Sequence, residues 1–449
     1  MLENYFKIFD IALYACLGIF VLAYMPKLIY YAKGIFFNQR KDYLKPAKEN
    51  HKFAVIIPAR NESFVIRNLL EALKNQTYDK DKFDIYVAVE SLDDPTVKIC
   101  SEYERTEVFL KKDLSRIGKS YVMEEVTDYI SKEKQDENYE AYIVLDADNI
   151  PCKIFIEELN KAYDLGYDFG VGNRNTKNWN DGWIAACTGL TFIKLSRFQN
   201  FGRSRTGRGA LITGTGYFVK KALVDSIGGW QWFSLTEDFE MTNWTAINNW
   251  KACYCNKALF YDEQPTDFRT SFKQRKRWIK GFFWTASKYR KQITKGIFSK
   301  KSKRLACLEL KIGVLPLITL AVGFIVYSLA MITGSVLFSF TDMQKCYESL
   351  IRLGSCLGLF YVLLVIDSTI MLMVEHKNID IKFLNRLTAI LMHPFYSALY
   401  VVIAIYSFFV SVEWEPIQHK VNIDIEETNI NIEELNFMVE EVNKKYENA

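Results

Sequence analysis

Apolar and polar positions divide this chain into two kinds of segment. Thirty consecutive residues from Ile312 to Thr341 carry no charge, and the twenty-six from Leu387 to Val412 are interrupted only by His393. Leu353 to Val374 is apolar apart from Asp367, and Ile11 to Tyr31 is broken only by Lys27, close enough to one end to snorkel. A helix crosses a bilayer with roughly 20 apolar residues, so each run predicts a spanning helix. The first is not a cleavable leader: it is too long, ends in Met25-Pro26-Lys27 rather than small residues, and has little positive charge before it. Positive charge follows it at Lys33, Arg40, Lys41, Lys45 and Lys48. That asymmetry predicts an integral plasma-membrane protein with its N-terminus outside and residues from about 33 onward in the cytoplasm.

Between the first and second runs the pattern changes. Phe53 to Ile57 is a short apolar run ended by Pro58, a buried strand. Val65, Ile66, Leu69, Leu70 and Leu73 then recur at helical spacing. Phe83–Val89 predicts a second strand, Thr106–Leu110 a weaker third, Ile117–Ile130 a helix and Ala141–Leu145 another strand. Strands alternating with helices predict an α/β fold around a mostly parallel, Rossmann-like sheet. In such sheets the ligand lies beyond the carboxyl ends of the strands.

Three acidic clusters stand at those ends: Pro58-Ala-Arg-Asn-Glu62, Glu90-Ser-Leu-Asp-Asp-Pro-Thr96 and Asp146-Ala-Asp148. Like charges repel, and a divalent cation relieves that repulsion. Asp146 and Asp148 have the spacing to hold Mg²⁺ or Mn²⁺ against phosphates, although an isolated DxD is also an ordinary solvated turn. Thr213-Gly-Thr-Gly-Tyr-Phe218 is a glycine-rich turn opening onto a strand or helix, where a backbone can approach a sugar closely. It is not a Walker loop, and Gly118-Lys119 alone does not make one. Thr236-Glu-Asp238, read by itself, is a helix start with Thr236 as cap and two acids in the first turn.

Composition changes the picture only when it is divided. The 449 residues, 49% apolar and 24% charged, exclude a disordered, collagen-like or small disulfide-stapled chain. Nine Cys without a CxxC pair and four His away from them argue against structural zinc, and fit a reducing compartment. The net charge of +4 hides a stretch from Phe268 to Leu308 with fourteen Lys and Arg and no acid, leaving −10 elsewhere. Phe268, Phe272, Ile279, Phe282, Phe283 and Ala286 recur within it near helical spacing, as in amphipathic helices on an anionic inner leaflet. Nucleic-acid binding is set aside because the stretch leads straight into a spanning run.

In this order the motifs resemble those of the membrane-embedded family 2 glycosyltransferases, a group that includes cellulose, hyaluronan and poly-N-acetylglucosamine synthases. The resemblance rests on Ile57-Pro-Ala-Arg-Asn-Glu62, the turn at Glu90, Gly118-Lys119, Asp146-Ala-Asp148, Thr236-Glu-Asp238 and Gln274-Arg-Lys-Arg-Trp278, across roughly residues 53–284. It implies a GT-A fold and inverting transfer from a nucleotide sugar, usually UDP-linked. Asp146 and Asp148 would hold Mg²⁺ or Mn²⁺, and Pro58, Glu62 and Glu90 would line the base and ribose. Lys119, Gln274 and Arg277 would meet the donor's phosphates. Asp238, beside Glu237, would be the general base. Gly214, Thr215, Gly216 and Trp278 would shape the acceptor side. The family's Asp at the second strand end is replaced here by Glu90, for which Asp93 or Asp94 could substitute. TED matches cellulose- and poly-N-acetylglucosamine-type enzymes more closely than hyaluronan-type ones.

The implied organisation is a helix at 1–32, a cytoplasmic GT-A domain at 33–267, basic interface helices at 268–305, membrane helices at 306–412 and a C-terminal segment at 413–449. Trp414 in that segment reads either as an interfacial anchor or as part of a gating loop. Four simple spans would put it outside, whereas a gating loop needs the inside, so one apolar run would then be re-entrant or interfacial. The expected function is extension and export of a β-linked polysaccharide from UDP-GlcNAc or UDP-Glc. Single transfer to a lipid acceptor is the alternative, and an inactive sugar-binding or channel protein is the reading of another class. Membrane lipids are expected partners and nucleic acid is not.

Overall fold

The structure, a computed structural model, describes residues 4–37, 41–313 and 315–412. Trp414 and the tail lie outside the described residues. Eight strands form one sheet: β1 (Phe53–Pro58), β2 (Phe83–Val89), β3 (Thr106–Leu110), β4 (Ala141–Val144), β5 (Ile150–Pro151), β6 (Phe169–Thr176), β7 (Tyr217–Lys220) and β8 (Ala252–Asp262). Their order is β3-β2-β1-β4-β7-β6-β8-β5. The first four are mutually parallel, β7 is antiparallel to both β4 and β6, and β8 runs parallel to β6. Residues on both faces of β1 are buried, as expected of a covered parallel strand. Val55 and Ile57 join one core, with Leu69, Leu70 and Leu73 of the helix Ile66–Lys74, while Ala54 and Ile56 join the other, with Met123 and Val126 of the helix Lys119–Glu133.

Among the described residues, four helices are long and apolar enough to cross a membrane: Tyr5–Ile35, Leu315–Ser339, Met343–Val374 and Phe383–Phe409. The catalytic-type domain docks on them through the segment Lys194–Asn200, a π-helical stretch, and the turn of helix after it. Two glycines set that contact. A Cβ on Gly34 would stand 2.7 Å from Phe198, and one on Gly202 would stand 2.6 Å from Tyr30. Ion pairs then fasten it. Lys194 meets Asp367 at 2.8 Å, Arg203 meets Glu309 at 2.6 Å and Arg197 pairs with Glu375. Asp367, the charge inside a predicted span, also accepts from the Tyr31 hydroxyl at 2.5 Å. Its cost in an apolar setting is thus offset by two partners.

The basic stretch forms three helices, Phe268–Lys288, Arg290–Phe298 and Arg304–Ile312. Several of its cations face protein rather than solution. Arg275 is buried over the Tyr396 ring at 4.0 Å, and Lys280 donates to the Ser407 carbonyl at 2.8 Å.

The Gly-Thr-Gly turn is packed to its limit. Gly216 has φ +67°, and a Cβ there would stand 2.1 Å from the Phe260 ring. Gly216→Ala adds left-handed strain to a clash and lowers stability by about 2–4 kcal/mol. The thermal midpoint of the detergent-purified protein checks this; unchanged melting would contradict the contact.

Candidate active site

The carboxyl ends of β1, β2 and β4 open onto one continuous cavity of ≈ 3330 Å³. Pro58, Glu62, Glu90, Lys119, Asp146, Asp148, Gly214, Glu237, Asp238, Gln274, Arg277 and Trp278 all line it. Residues from 58 to 278 are therefore gathered around one space.

The loop after β1 is held from beneath. Asn61 takes a left-handed conformation, φ 58°, and its N–H donates to Asp94 at 2.7 Å. The same carboxylate caps the helix Pro95–Cys100 by accepting from the Thr96 N–H at 2.9 Å, while Thr96 Oγ1 accepts from the Glu62 N–H at 3.1 Å. Asp94 is consumed by this scaffold, and Asp93 is exposed. Glu90 is the strand-end carboxylate that reaches the cavity, paired with Arg60 at 3.0 Å.

Asp146 follows β4 and ion-pairs with Lys119, whose ammonium also donates to the Gly214 carbonyl at 2.7 Å. Asp148 is 3% exposed and accepts from the Glu263 N–H at 2.9 Å. Asp262, at the end of β8, lies beside it in an ion pair with Arg174. Burial, reinforced by the Asp148 charge, holds the Asp262 carboxyl above the usual carboxylate range, with Arg174 opposing. Hard oxygen donors crowded to the point of repulsion suit a divalent cation that takes its remaining ligands from phosphates. Among the described residues, the cluster of three metal-ligating side chains, Glu49, His51 and Asp164, sits at the other end of β1. Its His51 ring already meets Glu140 and Asp164.

Thr236-Glu-Asp238 opens the helix Glu237–Ile247 with its acids in the first turn, as a helix start requires, but Thr236 makes no side-chain cap. Instead, Gly281 of the helix Phe268–Lys288 presses on Thr236, where a Cβ would stand 2.6 Å away. Arg277 donates to the Leu235 carbonyl at 2.9 Å. Burial raises both carboxyls, and the Asp238 charge raises Glu237 further, while Lys119 and Arg277 pull both down. Thr213 Oγ1, Thr236 Oγ1 and Gln274 Oε1 are buried at or beside this wall without hydrogen-bond partners among the described residues. These orphaned atoms are what a polar ligand would satisfy.

Two expectations need correction. Thr215 is fully buried, joining Asn149 at 2.5 Å and accepting from the Asp146 N–H at 2.9 Å, so it braces the Asp146 turn instead of meeting an acceptor. Gly216 packs into the core on Phe260, leaving Gly214 as the glycine in the cavity wall. Sequence reasoning also missed Arg174, Phe192, Asp262 and Glu263, which line the same cavity. Arg174 lies 3.8 Å over the Phe192 ring, and Phe192 packs edge-on against Trp278 at 5.8 Å. Asp262-Glu263 is a fourth acidic strand end, visible to the same rule once β8 is recognised.

Residues 51–281 match the sequence pattern described as glycosyltransferase-like family 2. The chain belongs to that family. This glycosyltransferase is 24% identical over 374 residues to "Probable glycosyltransferase YdaM" of Bacillus subtilis (strain 168), covering 82% of this chain and 84% of the relative. It is 23% identical over 275 residues to the beta-monoglucosyldiacylglycerol synthase of Trichormus variabilis, covering 59% of this chain and 56% of that synthase. Among solved structures, it resembles the mannosyltransferase PcManGT from Pyrobaculum calidifontis in complex with GDP-Man and Mn²⁺. The TM-score is 0.52 at 15% identity, over 76% of this chain and 98% of that one. The latter likeness establishes the GT-A fold. The protein is a glycosyltransferase that uses a nucleotide sugar.

Asp94→Ala frees Asn61 and uncaps the Pro95 helix at once. Donor affinity is expected to fall by about 5- to 30-fold, as for one or two hydrogen bonds, read by calorimetric titration with nucleotide sugar. Unchanged affinity would mean that the β1 loop holds its shape without this brace.

Proposed function

We propose that this enzyme transfers a hexosyl group, with inversion, from a UDP-sugar to a hydroxyl on a lipid-borne acceptor that enters the site from the bilayer. The observation that carries this reading is the continuity of the cavity. From Asp238 and Arg277 it runs on between membrane helices, past Leu17 and Phe20, Phe324 and Ile325, and Leu357. Such an apolar wall suits acyl chains, whereas a hydroxyl-rich glycan would leave its polar groups unpaired there.

Pro58, Glu62 and Glu90 flank the nucleoside, and Lys119, Gln274 and Arg277 bind the diphosphate with charge-assisted hydrogen bonds that strengthen as the leaving group gains charge. Asp146 and Asp148 would hold Mg²⁺ or Mn²⁺, which supplies Lewis-acid stabilisation of the departing diphosphate. Asp238 takes the proton of the acceptor hydroxyl as its oxygen attacks the anomeric carbon and the UDP–sugar bond breaks. Burial holds that carboxyl above its ordinary range, which makes Asp238 a stronger base. Trp278 offers a ring face to the acceptor. The catalytic domain faces the cytoplasm of a plasma membrane, a placement supported by the cations that follow the first helix.

Processive extension of a β-linked polysaccharide from UDP-GlcNAc or UDP-Glc is the second reading, favoured by the aromatic pair Phe192 and Trp278 beside the base. Incubating the purified protein with labelled UDP-Glc, UDP-GlcNAc, UDP-Gal or UDP-GlcA, Mg²⁺ or Mn²⁺, and membrane lipids separates the two. A labelled product that extracts into organic solvent and carries one sugar is expected. A water-soluble ladder would overturn lipid transfer and select extension.

The base assignment makes its own prediction. Only ionised Asp238 accepts the proton, and its raised pKa moves the acid limb of kcat/KM to higher pH than an ordinary carboxylate near 4 would give. Asp238→Asn should reduce turnover by about 10²- to 10⁴-fold with UDP binding nearly intact. An unchanged rate would reject the assignment.

A further inference from the structure

By length and composition the helix Phe383–Phe409 would be counted as a fourth membrane span. Its contacts contradict that. At its start, Asn180 of the catalytic domain accepts from the Lys382 N–H at 2.8 Å and from Asn385 Nδ2 at 3.0 Å through its carbonyl. At its end, Lys280 donates to the Ser407 carbonyl at 2.8 Å and Phe283 packs on Phe408 at 4.7 Å. Lys280 and Phe283 flank Gly281, which touches Thr236, and Phe282, which packs on Phe239 at 4.5 Å. The last turn of the helix therefore lies level with the Thr236-Glu-Asp238 turn. A spanning helix of 27 residues would carry that turn about 40 Å away, to the opposite face.

Its neighbours agree. The buried positions Ala389, His393, Tyr396, Ile403 and Ser407 form one stripe along the whole helix. That stripe faces catalytic-side elements: the Thr188 hydroxyl meets the Tyr396 hydroxyl at 2.8 Å, Cys187 donates to the Ala389 carbonyl at 3.8 Å, and Arg275 donates to the Tyr396 carbonyl at 3.0 Å. The helix Phe268–Lys288 beside it carries seven Lys and Arg residues and cannot lie at hydrocarbon depth. Contact with the span Met343–Val374 runs through its middle and its catalytic-side part, by Tyr361 to Leu391 at 3.0 Å, the Tyr361 ring to Phe395 at 5.6 Å and Ser368 to His393 at 2.7 Å. Pro394, which removes one helical N–H, lies within this contact, between His393 and Phe395. The outward positions Leu384, Leu387, Leu391, Phe395, Val402 and Ile405 are exposed and uncharged.

We infer that Phe383–Phe409 does not cross the membrane but lies along its catalytic-side interface, with the buried stripe on the enzyme and the uncharged face on the lipid headgroup–acyl boundary. The described residues then span three times, and Ser411 and Val412, which line the cavity, emerge on the same side as Asp238. This placement does not depend on which acceptor is used.

Two measurements on the full-length, membrane-reconstituted enzyme test it. In an active variant with its native cysteines replaced, Ser411→Cys should react with an impermeant maleimide from the same side as Gln135→Cys and from the opposite side to Thr341→Cys. Reaction from the Thr341 side would overturn the inference. Nitroxide labels at Leu387, Phe395 and Val402 provide the second measurement. Similar shallow depths, within roughly 5–10 Å of the headgroups, are expected, and a label at Phe395 at the bilayer centre flanked by shallow ends would overturn it.

Discussion

Everything in this enzyme depends on the seam where the helix Phe268–Lys288 meets the Thr236-Glu-Asp238 turn. Gly281 lets the two backbones approach, Arg277 ties the helix to Leu235, and the fully buried Glu240 accepts from Lys288 and from the Tyr289 hydroxyl at 2.7 and 2.6 Å. A single helix thus carries the cavity-lining Gln274 and Arg277 on one side, abuts the Thr236-Glu-Asp238 turn on another, and supports the helix Phe383–Phe409 through Arg275 and Lys280. The buried charge of Glu240 is tolerable there because it finds partners across the seam. The arrangement explains why one short motif holds both Gln274 and Arg277 and the structural Arg275: the first two share a face at i, i+3, and Arg275 points away from it.

How much of this could be read from the residues varies with the physics of each element. β2 and β3 have the predicted limits, because their apolar runs are bounded by charged and turn residues. β6 was missed, since Phe169–Thr176 contains two glycines and ends in polar residues such as Arg174 that face the site. β8 was missed because Asn256 and Lys257 interrupt its apolar run, near the register shift opposite Val171 and Asn173. The helix Trp183–Ile193 is apolar on nearly every side and so has no amphipathic period to betray it. Missing β8 also hid Asp262 and Glu263.

Local reading placed a residue in the cavity wall where it stands at its own strand end, as at Asp146 and Glu90. It failed where long-range packing decides between neighbours. Nothing near Asp93 and Asp94 in the chain says that the second will brace a loop from β1, thirty-three residues back. Nor does Thr213 to Phe218 say which glycine faces the cavity; that follows from Phe260, which lies on another strand. The basic stretch was legible as helical, yet which cations turn inward follows from Tyr396 and Ser407, far along the chain.

The ion pairs of Lys194, Arg197 and Arg203 with Asp367, Glu375 and Glu309 have a mechanical meaning as well as a structural one. Two of them lash the globular part to Asp367 and Glu375 of the membrane part and the third to Glu309 of the helix Arg304–Ile312, close to the glycine contacts at 34 and 202. Rocking one body on the other would strip buried charges of their partners, so the joint is stiff. The height of Asp238 over the membrane helices is consequently built into the protein's own dimensions, and any group that reaches it must be carried to that height by the molecule that bears it.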